Sequence, residues 1–294
     1  MENTSTGKIL DEVIKEIEQK RNQNGITGIA TGFHDLDRLA GGLQKGEMIV
    51  VAGRPAMGKT AFGVSIAKNI ATNYRVGVAI FALEMSAIQM ASRVIGNELQ
   101  IHISKLNRGE VLSDEEFTEL IEGAPQLNHL PIFIDDTSNI DLIELCSKCW
   151  RYKNYQNVQC IIIDYLQLMT AYRNIRKEKE GEIAFILSNI KQLAKDLDMP
   201  IIVLSQLSRT VEQREDKRPL LYDFHDTIDI ERIVDKLYLL YRPEYYGFTV
   251  YENKDLNREV TELITVDTRN GASTSILLRL RGKFSLFENL QDSE

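Results

Sequence analysis

A chain of 294 residues with 43% hydrophobic residues has the apolar content for a real core, in one large α/β domain or two small ones. Its net charge of −8 argues against a surface that holds nucleic acid over its whole extent, while leaving room for a local basic channel. No apolar run nears the ~20 residues that cross a bilayer, and the polar N-terminus carries no signal peptide, so a cytoplasmic protein without membrane contact is expected.

In chain order, residues 8–20 place Ile9, Leu10, Val13, Ile14 and Ile17 on one helical face, with Ser5 or Thr6 as cap and a polar joint from Arg21 to Gly25. This sets a boundary: a helix and joint over 1–24, and a main domain over 25–294. Thr31 to Leu43 predicts a short helix pinned against a sheet. Ile49 to Ala52 is an apolar strand running into Gly53-Arg54-Pro55-Ala56-Met57-Gly58-Lys59-Thr60, and a helical pattern follows from Ala61 to Ala71. Strand, glycine-rich loop and helix in this spacing form a phosphate loop. Its backbone N–H groups and helix N-terminus wrap a triphosphate. Lys59 reaches the β- and γ-phosphates, and the Thr60 hydroxyl ligates Mg²⁺.

Further apolar runs read as buried parallel strands. Residues 76–82 lead to Glu84, which is placed either to act as general base on the attacking water or to cap the next helix near Ser86. Residues 87–99 are helical and carry Arg93. Ser113 and Glu116 form a capping box for a helix over 113–122. A third strand over 131–134 ends in Asp135-Asp136, and a helix covers 141–153. Cys160 to Ile163 ends in Asp164, an acid placed to hold Mg²⁺ opposite Thr60. The three cysteines, Cys146, Cys149 and Cys160, lack a second pair for a zinc site and read as free thiols.

Tyr172 to Glu182 is a polar loop whose Arg173, Arg176 and Lys177 either face solvent or meet DNA. After a helix over 182–197, the strand over 200–204 ends in Ser205-Gln206, and Gln206 is placed to sense the γ-phosphate. A second basic stretch begins at Arg209. Strands over 234–241, 261–267, 275–280 and 284–287 follow, and Thr268-Arg269-Asn270-Gly271 forms a hairpin turn. The alternation of strands and helices implies one mostly parallel sheet with helices on both faces.

Several of these stretches occur together and in order: Thr31-Gly-Phe-His-Asp-Leu-Asp37, Gly53 to Thr60, Phe81-Ala-Leu-Glu-Met-Ser86, Ile163-Asp-Tyr-Leu-Gln-Leu-Met169, Leu204-Ser-Gln-Leu-Ser-Arg209 and Tyr241-Arg-Pro-Glu-Tyr-Tyr246. From about Thr27 onward the chain resembles the C-terminal RecA-like ATPase domain of DnaB-type replicative helicases. The resemblance implies an ATP- and Mg²⁺-dependent motor that moves on single-stranded DNA as a hexamer, with a loader or primase among its partners. It implies that Glu84 is the catalytic base, that Arg93 contacts nucleotide, and that Arg269 is an arginine finger reaching the next subunit. Residues 8–20 resemble the linker helix that docks on the adjacent subunit.

Three departures stand out. The stretch before residue 25 is too short to hold the family's helical N-terminal domain. In the stretch that matches the DNA loop, Phe224 to Arg232, His225 replaces an arginine beside Asp226, and Ile228 replaces a glycine. Asp267 replaces a lysine two positions before the finger. An ATP site left whole beside an altered DNA path keeps open a second function, a nucleotide-gated ring-forming scaffold or divergent RecA-like ATPase that recruits replication partners without unwinding.

Overall fold

Met48, Val50 and Ala52 pack into one hydrophobic cluster, and Ile49 and Val51 into a second on the opposite face. This alternation comes from the two-residue period of a strand, and burial on both sides explains the unbroken apolar run. The computed structural model describes residues 25–107, 110–171, 179–224, 230–248, 250–251, 254–255, 259–266 and 273–290, with Thr6, Gly7, Leu10, Ile14 and Lys15. Of the predicted helix over 8–20, Leu10, Ile14 and Lys15 are helical, with Leu10 and Ile14 exposed.

The strands are β1 (Met48–Gly53), β2 (Gly77–Ala82), β3 (Ile132–Asp135), β4 (Val158–Asp164), β5 (Ile201–Gln206) and β6 (Lys236–Tyr241). A small ribbon, β7 (Val250–Tyr251) with β8 (Lys254–Asp255), precedes β9 (Val260–Val266), β10 (Ser273–Arg281) and β11 (Leu286–Asn289). Nine of them form one sheet in the order β11-β10-β9-β6-β1-β5-β4-β2-β3. From β6 to β3 all neighbours are parallel, whereas β9, β10 and β11 add an antiparallel flank.

The helices are α1 (His34–Ala40), α2 (Lys59–Tyr74), α3 (Ala87–Leu99), α4 (Ile103–Asn107), α5 (Asp114–Asn128), α6 (Leu142–Gln156) and α7 (Lys179–Leu197). Helix α1 is pinned as expected. The Asp37 carboxylate accepts from Thr31 N (2.8 Å), Thr31 Oγ1 (2.8 Å) and Gly32 N (3.0 Å), and Phe33 stacks on Phe62 of α2. The Ser113–Glu116 capping box forms.

Two departures from the sequence reading have local causes. Helix α5 runs past residue 122 through Gly123 and Pro125. Pro125 deprives the Ile121 carbonyl of its intrahelical donor, but α5 buries none of its residues, so water can serve that group. Gly123 does not stop the helix; a Cβ there would sit 2.6 Å from Leu99 Cδ2, so its small size lets α5 approach α3. Helix α4 and the β7–β8 ribbon have no periodic signal long enough to read. Among the described residues no helix is long and apolar enough to cross a membrane.

Candidate functional site

The parallel strands all point their carboxyl ends the same way, and that edge carries the polar residues. Register places Gly53 level with Gln206 on one side and Leu240 on the other, and Ala82 level with Asp164. A cavity of about 440 Å³ opens there. It is lined by Pro55, Ala56, Gly58, Lys59 and Thr60 of the loop and by Glu84, Arg93, Asp164 and Gln206. Such a crevice at the strand ends of an open α/β sheet is where this architecture binds ligands.

Inside it, Thr60 Oγ1 donates to Asp164 Oδ2 at 2.7 Å. Lys59 Nζ donates to the carbonyls of Gly53 (3.0 Å) and Arg54 (3.1 Å), which leaves one of its three donors. Asp164 is buried, and burial raises its pKa, with Glu84 adding to the rise while Thr60, Lys59 and Arg93 oppose it. Burial also lowers Lys59 from its ordinary 10.5 to about 8, against the pull of Asp164 and Glu84 and with help from Arg54. Arg93 is lowered by burial too, and its Nη1 donates to Ser285 Oγ at 3.0 Å. Asp164, Lys59 and Arg93 thus share one pocket, each penalised by burial and relieved by the opposite charges beside it, a pattern typical of functional sites.

The capping alternative for Glu84 does not hold. Ser86 Oγ accepts from Gln89 N, the Gln89 side chain accepts from Ser86 N, and Asp136 Oδ2 accepts from Ala87 N at 2.8 Å. The first turn of α3 is satisfied without Glu84, which stands exposed at the cavity's edge.

Three residues of the loop stand apart from the others. Gly53, Arg54 and Met57 are absent from the cavity lining. Arg54 is buried and turned away, with Nε on Glu212 Oε1 (2.9 Å) and Nη1 on the Leu207 carbonyl (2.8 Å). Met57 is 1% exposed and belongs to the core. Any contact these three make with an anion is through backbone.

The sequence passed over Arg242, Tyr165, Leu280, Gly282 and Ser285, which also line the cavity. Arg242 follows β6 directly and donates from Nη1 to the Ala56 carbonyl at 3.0 Å. The strand-end logic that selects Glu84, Asp164 and Gln206 would have found it. The others come from the turn after β4 and from the antiparallel flank, with no local signal.

The basic stretch from Arg209 is largely turned inward. Arg214 pairs with buried Asp223, and Arg218 with buried Glu262. Lys217 lies 5.9 Å from the Tyr246 ring. Arg209 itself is exposed at the start of a 3-10 turn. Arg173, Arg176, Lys177, His225, Asp226 and Arg269 lie outside the described residues. Cys149 and Cys160 are buried, and burial pushes the Cys160 thiol up to about 12.

The chain is 40% identical over 285 residues to replicative DNA helicase DnaB of Geobacillus stearothermophilus, covering 96% of this chain and 61% of that protein. It is 38% identical over 284 residues to replicative DNA helicase DnaC of Bacillus subtilis, with the same coverage of both chains. The chain therefore spans about three fifths of the length of these relatives. Among solved structures, an isolated ATPase domain superposes with a TM-score of 0.87 at 31% identity, covering 99% of this chain and 100% of that one. A DnaB-like replicative helicase, described with its interactions with primase, superposes with a TM-score of 0.83 at 31% identity, covering 99% of this chain and 68% of that one. A family profile spanning residues 28–289 takes in every strand end around the cavity, and on that match the chain belongs to the DnaB-like helicase C-terminal domain family.

Proposed function

We propose that this chain is the ATP-hydrolysing motor of a replicative DNA helicase, working as a hexameric ring that translocates on single-stranded DNA. The observation that carries the reading is the gathering of Lys59, Thr60, Glu84, Asp164 and Gln206 from four parallel strand ends around one cavity.

The donor set fits Mg²⁺. Thr60 Oγ1 and Asp164 Oδ2 are hard oxygen ligands 2.7 Å apart, and a buried carboxylate whose pKa is raised by burial gains from a cation beside it. When bound, the ion would neutralise charge shared between the β- and γ-phosphate oxygens. Lys59 trades its loop carbonyls for those oxygens. Glu84, at the solvent edge, accepts a proton from the attacking water, and Gln206 contacts the γ-phosphate. Arg93, held by Ser285, faces the nucleotide from α3.

Arg269 is assigned to a neighbouring site. Val266 pairs with Leu237 at the start of β6, and Ser273 pairs with Val266. β9 therefore ends, and β10 begins, at the end of the sheet remote from this chain's own phosphate loop. An arginine supplied in trans is worth ~10³–10⁵ in rate, so hydrolysis requires assembly.

The test is an ATPase assay with and without a single-stranded oligonucleotide, alongside a mass measurement of the assembly. A six-membered particle whose ATPase rises with oligonucleotide, and loses both hydrolysis and unwinding in Lys59→Ala, is expected. Unstimulated ATPase in a verified hexamer would refute the motor.

A further inference from the structure

We propose that Arg54 is a positioning residue that couples the phosphate loop to the segment 207–224, with Glu212 as its counter-charge. The proposal rests on the nucleotide reading of the cavity and is independent of unwinding.

The link is double. Arg54 Nη1 donates to the Leu207 carbonyl at 2.8 Å, and Leu207 N donates back to the Gly53 carbonyl at 3.3 Å. Two consecutive loop residues are thereby spliced to the residue after Gln206. Arg54 Nε reaches further along the same segment, to Glu212 Oε1 at 2.9 Å. The Arg54 side chain is 8% exposed and that of Glu212 is 43% exposed, so the pair lies at the rim of the interior, where a charge-assisted bond keeps much of its strength. A planar guanidinium that holds two elements at fixed angles is a rigid connector, which a lysine would not be.

What Arg54 holds is a segment closed on itself. Ser208 N donates to the Asp223 carbonyl at 2.9 Å, so the segment's head is bonded to its tail. Arg214 forks onto the buried Asp223 carboxylate, whose Oδ2 also accepts from Leu220 N at 2.7 Å. The head and tail of the segment are thus tied by backbone and side-chain bonds, as in a compact loop whose ends lie close. Phe224, buried, is the first residue of the stretch Phe224 to Arg232 that matches the family's DNA loop. A shift of the phosphate loop on nucleotide binding thus has a path through Arg54 into the segment 207–224, separate from the Gln206 side chain.

Hydrogen–deuterium exchange on the full chain, with and without Mg²⁺ and a slowly hydrolysed ATP analogue, tests this. In the wild type, nucleotide should slow exchange in peptides covering both 53–60 and 207–224. In Arg54→Met, which removes both side-chain bonds, the protection of 53–60 should persist within twofold, while that of 207–224 falls at least threefold; Glu212→Lys, which repels Arg54, should move in the same direction. Protection of 53–60 with no response of 207–224 in the wild type, or an equal response in wild type and Arg54→Met, overturns the coupling alone. No protection of 53–60 in the wild type overturns the nucleotide reading itself.

Discussion

Gln167 holds the strand end that presents Gln206, and removing it should cost turnover more than binding. On the β4 side, β5 has strand partners only as far as Val203, opposite Ile163. Beyond that point Ser205 and Gln206 would face an open edge. The Gln167 amide takes the place of the missing strand: Nε2 donates to Ser205 Oγ (2.8 Å) and to the Gln206 carbonyl (3.2 Å), and Oε1 accepts from Gln206 N (3.2 Å). Three neutral hydrogen bonds at ~1 kcal/mol net each give a loss of about 2–3 kcal/mol for Gln167→Ala. For a domain of this size that lowers Tm by roughly 4–12 °C. The unpinned Gln206 then samples positions about 1 Å from its working place, a misplacement worth on the order of 10- to 100-fold in kcat. Because Lys59 and Thr60 are untouched, KM for ATP should change less than twofold. Steady-state ATPase and thermal melting are the assays, with Gln206→Ala and the double variant as partners. If Gln167 acts through Gln206, the double variant should turn over no more slowly than Gln206→Ala. Additive losses in kcat, or a Gln167→Ala enzyme within twofold of wild type, would refute the reasoning.

Lys59, lowered to about 8 by burial, is protonated below that pH and loses its charge above it; phosphates beside it raise its pKa again, so nucleotide binding should take up a proton between about pH 8 and 10. Calorimetry at pH 8.5 in buffers of different ionisation enthalpy should report about half a proton or more, and almost none at pH 6.5; no buffer dependence at pH 8.5 contradicts this. Asp37→Ala removes three bonds to one buried carboxylate and should cost about 3 kcal/mol by denaturant titration. Asp35→Ala on the same helix, whose surface pair with Arg38 is half exposed, should cost under about 0.5 kcal/mol, and equal losses would sink the distinction. Glu262→Ala removes the buried carboxylate that accepts from Arg218 and Ser275 and should cost about 2–3 kcal/mol, read in the same titration; a loss below ~1 kcal/mol would mean water already reaches the pair.

The parts of the site legible in the sequence are those where chain order and spatial order coincide. A buried parallel strand must be apolar until it leaves the sheet, so the first polar residue after it marks the crevice; Asp164, Gln206 and Glu84 could be found in this way. Side-chain direction was not legible. Within Gly53 to Thr60 the motif names every residue alike, yet Arg54 and Met57 turn inward, because Glu212 and the core lie on that side of the loop. The charge of 209–221 was visible, but not that Asp223 and Glu262 wait beneath Arg214 and Arg218. Pairing across 44 residues, as between Arg218 and Glu262, leaves no periodic trace. The wall formed by Leu280 and Ser285 depends on which strand lies beside β6, and composition does not set strand order.

That wall also sets a schedule. A Cβ on Gly58 would lie 2.9 Å from Leu280 Cδ2 and 3.1 Å from Phe287 Cε2, and Phe287 N donates to Ser65 Oγ of α2. During synthesis the phosphate loop leaves the ribosome roughly 220 residues before these partners, a wait of about 10–45 s at ordinary elongation rates. Until then the nascent loop lacks one side of its enclosure.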